Sequence, residues 1–297
     1  MIEKYKVKTP NYYFYIYTEL SYMDVINIRA EYKNYECSKI CFQTFENTAY
    51  LDSFGNGNNC TFDINTNKLG LKKGVGTYEY FRGILTFLFI KYPNLEGCVL
   101  RDSTFVVSKL NPQIQISLRD VYLAAYNKTW YQYHFSAKPI VEKGYEKLVN
   151  VNATFNVEIG TDFEEFFQKY CYDVVSNDQL NLLKDAFSKF VDKPVSLREF
   201  VVYCKKNYDW LIFDKWVSRL ISNSFERGVI EQMYWVIFPE SILGIPDDKK
   251  LQVEIDRVDV EDNAGGGFIG TANTFNYYWD KYSYKSYKFQ SIFNTIK

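Results

Sequence analysis

Leu71-Lys72-Lys73-Gly74-Val75-Gly76 leads into an apolar run that ends near Tyr92, and the reading of this stretch decides how the whole chain is read. Tyr80, Ile84, Leu85, Leu88 and Phe89 recur at helical spacing, which predicts a core helix. Two glycines just before a helix let backbone N–H groups converge on an anion, and the helix dipole adds positive potential at the same end. Lys72 and Lys73 add charge. Lys72, Lys73, Gly74, Val75 and Gly76 are therefore the candidate anion-binding residues, although the same letters also spell a tight turn into a buried helix.

Outward from this point the element order is mixed. Tyr12 to Glu19 is a dense aromatic and β-branched run that predicts a strand, and Ser21 with Asp24 predicts a capped helix reaching about Lys33. Ser38 to Phe45 and Thr48 to Phe54 read as strands, and Gly55-Asn56-Gly57-Asn58 as a hairpin turn returning through Cys60 to Ile64. Pro93-Asn94 ends the central helix; Gly97 to Leu100 begins a strand that continues towards Val107. A helix is expected over Leu118 to Tyr133, then extended chain over Ala137 to Val141.

From Thr161 the period becomes helical: Phe163, Phe166, Phe167 and Tyr170; Leu183, Ala186 and Phe187; Leu197, Phe200, Val201 and Cys204 behind the cap Ser196 and Glu199; Trp216, Val217, Leu220 and Ile221. Leu251, Val253 and Ile255 alternate as a strand. The expected class is α+β, with a mixed α/β sheet domain over residues 1–150. A mainly helical domain over 151–297, with a short β and loop segment at its end, completes it.

The 297 residues are 47% hydrophobic, ample for a buried core, and 27 Tyr and 24 Phe accompany the Asn, Lys and Ile that adenine- and thymine-rich codons encode. A formal net charge of -1 supplies no global attraction to nucleic acid or to an acidic membrane. No apolar stretch is long enough to span a bilayer, and the polar start lacks a secretory segment, so a cytoplasmic protein is expected. Cys37, Cys41, Cys60, Cys98, Cys171 and Cys204 form no CxxC pair and read as reduced thiols; Cys37 and Cys41 would face each other if that segment were helical. His134 is the single histidine, which argues against triads and multi-histidine metal sites. The acidic group Asp256, Asp259, Glu261 and Asp262 lacks the spacing of a cation loop, and no metal is expected. Lys281, Lys285 and Lys288 among Tyr282, Tyr284 and Tyr287 are too few to make nucleic acid the expected partner.

The element order, with a glycine loop between a strand and its helix, resembles the GNAT acyltransferase family, whose Q/R-x-x-G-x-G/A loop holds the pyrophosphate of acyl-coenzyme A. The matching positions are Gly74 and Gly76, with Leu71 where the family has Gln or Arg. Trp130-Tyr131-Gln132-Tyr133-His134-Phe135 is similar to the family's Tyr-Glu-Lys-x-Gly-Phe segment, one residue short and without its glycine. The resemblance covers residues 10 to 142. It implies acetyl-CoA or another acyl-CoA as cofactor, an amine acceptor, and Tyr131 as the acid that protonates the leaving thiolate, with Tyr126 and Tyr133 as lesser candidates. Leu100-Arg101-Asp102-Ser103, with Lys128-Thr129-Trp130-Tyr131 beyond the following helix, is also similar to a pattern in proteins of large DNA viruses with AT-rich genomes. That similarity implies a second reading: a non-catalytic viral structural or interaction protein, in host cytoplasm or virion, that keeps the fold and meets protein partners through its helical half.

Overall fold

Val75–Lys91 forms a 17-residue helix, α1, in the computed structural model, which describes residues 2–21, 24–32, 35–54, 75–102, 104–140, 148–172, 175–224, 234–245 and 251–258. Every residue from Glu79 to Phe89 is buried, so this helix lies inside the molecule instead of presenting one stripe to a core. One side packs on the sheet, with Phe14 and Tyr80 ring centroids 4.7 Å apart and Tyr5 and Phe87 5.0 Å apart. The opposite side meets a second helical layer, where Phe81 lies 5.1 Å from Phe135 and 5.8 Å from Tyr131. Two buried polar groups on α1 are satisfied locally: Glu79 accepts from the Asn11 side chain and backbone at 2.5 and 3.2 Å, and Arg82 donates to the Ile242 carbonyl at 2.8 Å.

The sheet begins as an antiparallel meander, β1 (Ile2–Lys8), β2 (Tyr13–Leu20), β3 (Val25–Tyr32), β4 (Tyr35–Gln43) and β5 (Thr48–Phe54). α1 then carries the chain to β6 (Gly97–Arg101), which pairs with β5 in parallel. A small pair, β7 (Phe105–Val107) and β8 (Gln115–Ser117), leads to α2 (Leu118–Tyr126), α3 (Trp130–Phe135) and β9 (Lys138–Pro139). Next come α4 (Leu148–Phe155), β10 (Glu158–Ile159), α5 (Phe163–Tyr170), α6 (Asn177–Phe187), β11 (Val195–Ser196) and α7 (Leu197–Asn207). A 3-10 turn, Trp210–Phe213, precedes α8 (Trp216–Asn223), β12 (Tyr234–Ile237), α9 (Glu240–Leu243) and β13 (Glu254–Val258). The nine-stranded sheet has the order β13-β1-β2-β3-β4-β5-β6-β12-β9.

The α+β character and the helical run after residue 161 match the sequence reading, and the Ser196 and Glu199 capping box is present as expected. The second half also returns two strands to the sheet. β12 lies between β6 and β9, β13 pairs with β1, and one buried apolar cluster runs from Tyr5 to Ile242. No described helix is long and apolar enough to cross a membrane.

Three elements differ from expectation. Residues from Val25 form strand β3, not a helix: the Ser21 and Asp24 pattern makes a turn instead, with Asp24 at φ 57 and its N–H bonded to the Ser21 carbonyl. β-branched Ile26 and Ile28 pair on both sides with β2 and β4, Val25 pairs with β4, and that pairing outweighs a local cap. Cys37 and Cys41 accordingly sit on a strand, β4. The helix expected over Leu118 to Tyr133 is two helices, because Asn127 adopts φ 54 as a left-handed cap and Thr129 opens a new capping box with Gln132. Strand β1 had no sequence signal; its Lys4 and Lys6 lie over the Tyr15 and Tyr13 rings at 4.5 and 5.0 Å, while Tyr5 and Val7 face the core. The Gly55 to Ile64 hairpin lies outside the described residues.

Gly83 marks the closest approach of α1 to β2, since a Cβ there would come within 2.6 Å of Phe14 Cζ and 3.2 Å of Thr9 Cγ2. Gly83→Val is expected to lower unfolding free energy by about 1–3 kcal/mol, because Phe14 is itself buried and has no room to retreat. Urea denaturation checks this. A change within about 0.5 kcal/mol would contradict the packing described.

Candidate functional site

The β5–β6 ladder holds only at Thr48 with Gly97, Ala49 with Cys98 and Tyr50 with Val99. Both strands continue beyond it, β5 to Phe54 and β6 to Arg101. At the same place the β4–β5 register shifts, with Lys39 opposite Ser53 and Ile40 opposite Leu51, so Asp52 is the extra residue of a bulge. A bulge increases twist and bends its strand. Among the described residues no β5–β6 pair is found beyond Tyr50 and Val99, so the ladder between the two strands ends before their C-terminal ends.

α1 is aimed at the end of this ladder. Its C-terminus is held at the other end of the same two strands, because only residues 92–96 connect it to β6 and the Glu96 N–H bonds the Asn47 carbonyl at 2.6 Å. The helix N-terminus consequently lies on the side where the ladder ends. Val75 and Gly76 are its first two residues, and Gly76 is buried. Leu71, Lys72, Lys73 and Gly74 lie outside the described residues.

Tyr131 sits in α3, against Phe81 of α1 and Trp130, and is only 2% exposed. Burial raises its hydroxyl well above the usual tyrosine range, and nearby Asp102 and Cys98 raise it further, so the phenol holds its proton at neutral pH. Tyr126 and Tyr133, the lesser candidates, stand elsewhere: they pack on each other at 4.7 Å, and Lys205 lies over the Tyr126 ring at 5.1 Å. His134 joins that group through Tyr122 Oη at 3.2 Å. Burial, with Lys205 adding to it, lowers the imidazole to about 4, so it is neutral at pH 7.

Asp102 is the functional candidate that sequence reasoning missed. It follows directly on β6, is 6% exposed, and lies near enough to Tyr131 to raise that hydroxyl. Thr104 donates to the carboxyl from its Oγ1, at 2.8 Å to Oδ1, and from its backbone N–H, while Oδ2 has no partner within hydrogen-bonding geometry. Burial pushes the carboxyl up to about 6 against the opposing effects of Thr104 and Arg119. Arg119 Nε is engaged with Asp120 at 2.9 Å. On the adjoining strand Trp235 stands opposite Leu100, fully buried, and its Nε1 also lacks a partner. The only sequence signal was position: an acidic residue immediately after a buried apolar strand.

No group of His, Cys, Asp and Glu suited to a metal occurs among the described residues. Comparison with known protein families, characterised proteins and solved structures found no match to this chain.

The Asp102 carboxyl binds its proton more tightly in the folded than in the unfolded chain, so between about pH 4 and pH 6 the native state holds more protons. Its contribution to stability is greatest below the unfolded value and is lost as pH rises through about 6. Asp102→Asn is therefore expected to remove this slope and to be more stable than the parent at pH 7 by roughly 1–3 kcal/mol. Denaturation series across that range check it; parallel curves for the two proteins would contradict it.

Proposed function

We propose that the chain is a GNAT-like N-acyltransferase that uses acetyl-CoA or another acyl-CoA and an amine acceptor. The observation that carries this reading is the end of the β5–β6 ladder after Tyr50 and Val99, with the N-terminal end of α1 directed at it. A crevice at the C-terminal ends of strands is where open sheets take ligands. Strand edges beyond a ladder's end suit an extended, amide-bearing chain, which can hydrogen-bond to a strand as another strand does. Lys72, Lys73, Gly74, Val75 and Gly76 belong to the segment entering α1 and supply amides and cations for a diphosphate. Leu71, where the family has Gln or Arg, removes one of its polar contacts.

When bound, the acyl thioester supplies an activated carbonyl to the attacking amine. The protein's part is to hold the two reactants together, keep water from the carbonyl and supply a proton to the departing sulfur. Tyr131 is assigned the last role, with a hydroxyl that stays protonated at neutral pH. Its 2% exposure favours the second reading, a partner-binding protein that keeps this core without catalysis, because a proton donor must reach the reacting atoms.

Thermal or chemical unfolding with acetyl-CoA separates the two. At 100 times its dissociation constant the cofactor adds about 2.7 kcal/mol to stability. Lys72→Ala with Lys73→Ala is expected to shrink that gain, and Tyr131→Phe to leave it intact while lowering turnover by about ten- to a hundredfold. Absence of stabilisation at millimolar acetyl-CoA would establish the scaffold reading instead.

A further inference from the structure

We propose that the sheet face turned away from α1 binds single-stranded nucleic acid across β1, β2 and β3. α1 covers the other face of these strands, where Tyr5, Val7, Phe14 and Ile16 are buried. The uncovered face of an antiparallel sheet is ordinarily polar and solvated. Here β2 sets Tyr13, Tyr15 and Tyr17 along it, with Tyr13 55% exposed and the other two partly exposed. Alternate residues of a strand stand about 6.7 Å apart. The Tyr13 and Tyr15 ring centroids are 6.2 Å apart and edge to face, so these rings do not stack on each other.

Strand pairing puts cations on both sides of the row. On β1, Lys8, Lys6 and Lys4 are the register partners of Tyr13, Tyr15 and Tyr17, and on β3 Arg29 is the partner of Tyr17. Lys4 Nζ lies 4.5 Å from the Tyr15 centroid and 5.4 Å from that of Tyr17, and Lys6 Nζ lies 5.0 Å from that of Tyr13. The Arg29 guanidinium is 4.8 Å from the Tyr17 ring. Two of these cations have carboxylate partners, Lys8 with Glu254 at 2.9 Å and Arg29 with Glu31 at 3.1 Å. Lys4 and Lys6 form no ion pair among the described residues, although Asp256 stands opposite Lys6 on β13.

That mixture selects the partner. Every base has a π-face to lay on a tyrosine and every nucleotide link carries a phosphate, so rings interleaved with cations hold a single strand with little regard to its sequence. A duplex keeps its base faces stacked inside and meets only the cations. An acidic peptide uses the lysines and leaves the tyrosine row without a role. With a net charge of -1 the attraction is confined to this face. Phosphate contacts from Lys4 and Lys6 then give a slope of about -1.4 in a plot of log affinity against log salt. The proposal draws nothing from the acyltransferase reading, and either can fail while the other stands.

Fluorescence anisotropy of a labelled oligothymidylate of about a dozen nucleotides, titrated with the full-length protein at low salt, tests the proposal. The expected result is saturable binding, displaced by unlabelled oligothymidylate and far less by the matching duplex or by polyphosphate at equal phosphate concentration. Tyr15→Leu with Tyr17→Leu, which keeps apolar side chains but removes two π-faces, is expected to bind at least about fivefold more weakly, and Tyr15→Phe within about twofold of the parent. Lys4→Gln with Lys6→Gln is expected to remove the salt slope of about 1.4. Thermal unfolding checks that each variant is folded, and the Phe and Gln variants keep the strand's bulk. No binding at low salt, equal displacement by polyphosphate, or a double Leu variant that binds as the parent does would overturn the proposal. Binding to phosphatidylserine vesicles in place of the oligonucleotide would do the same.

Discussion

The enclosure of α1 on every side is the constraint from which the other features of the molecule follow. A helix with no solvent-facing stripe needs an apolar layer on each flank, and here the sheet supplies one and α3 with α9 the other. Gly83 lets the helix settle onto Phe14, and Phe81 on the opposite side fixes where Trp130, Tyr131 and Phe135 can stand. Because α1 is also the crossover between β5 and β6, its depth determines the relation of those two strands. The helical half is joined to the sheet half through the same packing, and β12 and β13 stitch it there by hydrogen bonds.

That arrangement places a defect in a deliberate position. Among the described residues the β5–β6 ladder stops after three pairs, beside a bulge, in the middle of a nine-stranded sheet and not at its edge. Central strands normally pair along their whole length, since unmade backbone hydrogen bonds are costly. The buried polar side chains divide into two kinds. His134, Tyr122, Tyr126 and Lys205 satisfy one another, with Lys205 donating to Tyr126 Oη at 3.3 Å and His134 held neutral. Asp102 and Trp235 each keep a buried atom without a partner. A polar cluster that closes on itself needs only packing to explain it, whereas one that stays open has an unfilled requirement.

Periodicity made the helices of residues 163–223 and the core helix α1 legible, because their apolar residues recur on one face and their caps are local. Strand β3 was hidden by a capping pattern whose competitor, pairing with β2 and β4, involves residues not adjacent in sequence. Lysine alternation concealed β1, whose cations rest on tyrosines of the neighbouring strand. The site was half legible. Glycine and lysine spacing drew attention to the entry of α1, but where the β5–β6 ladder ends is something no local run of letters encodes. Asp102 escaped for a related reason: its significance lies in an oxygen without a partner, visible only once its neighbours are placed.

Amide hydrogen exchange along β5 tests the end of the ladder most directly, with Ala49 and Tyr50 inside it serving as internal reference for Asp52 to Phe54 beyond it. The account predicts that amides of the outer segment directed towards β6 exchange quickly in the free protein and become protected when acetyl-CoA is added. Protection equal to that of Tyr50 without ligand would show a closed sheet, and the account would fall with it.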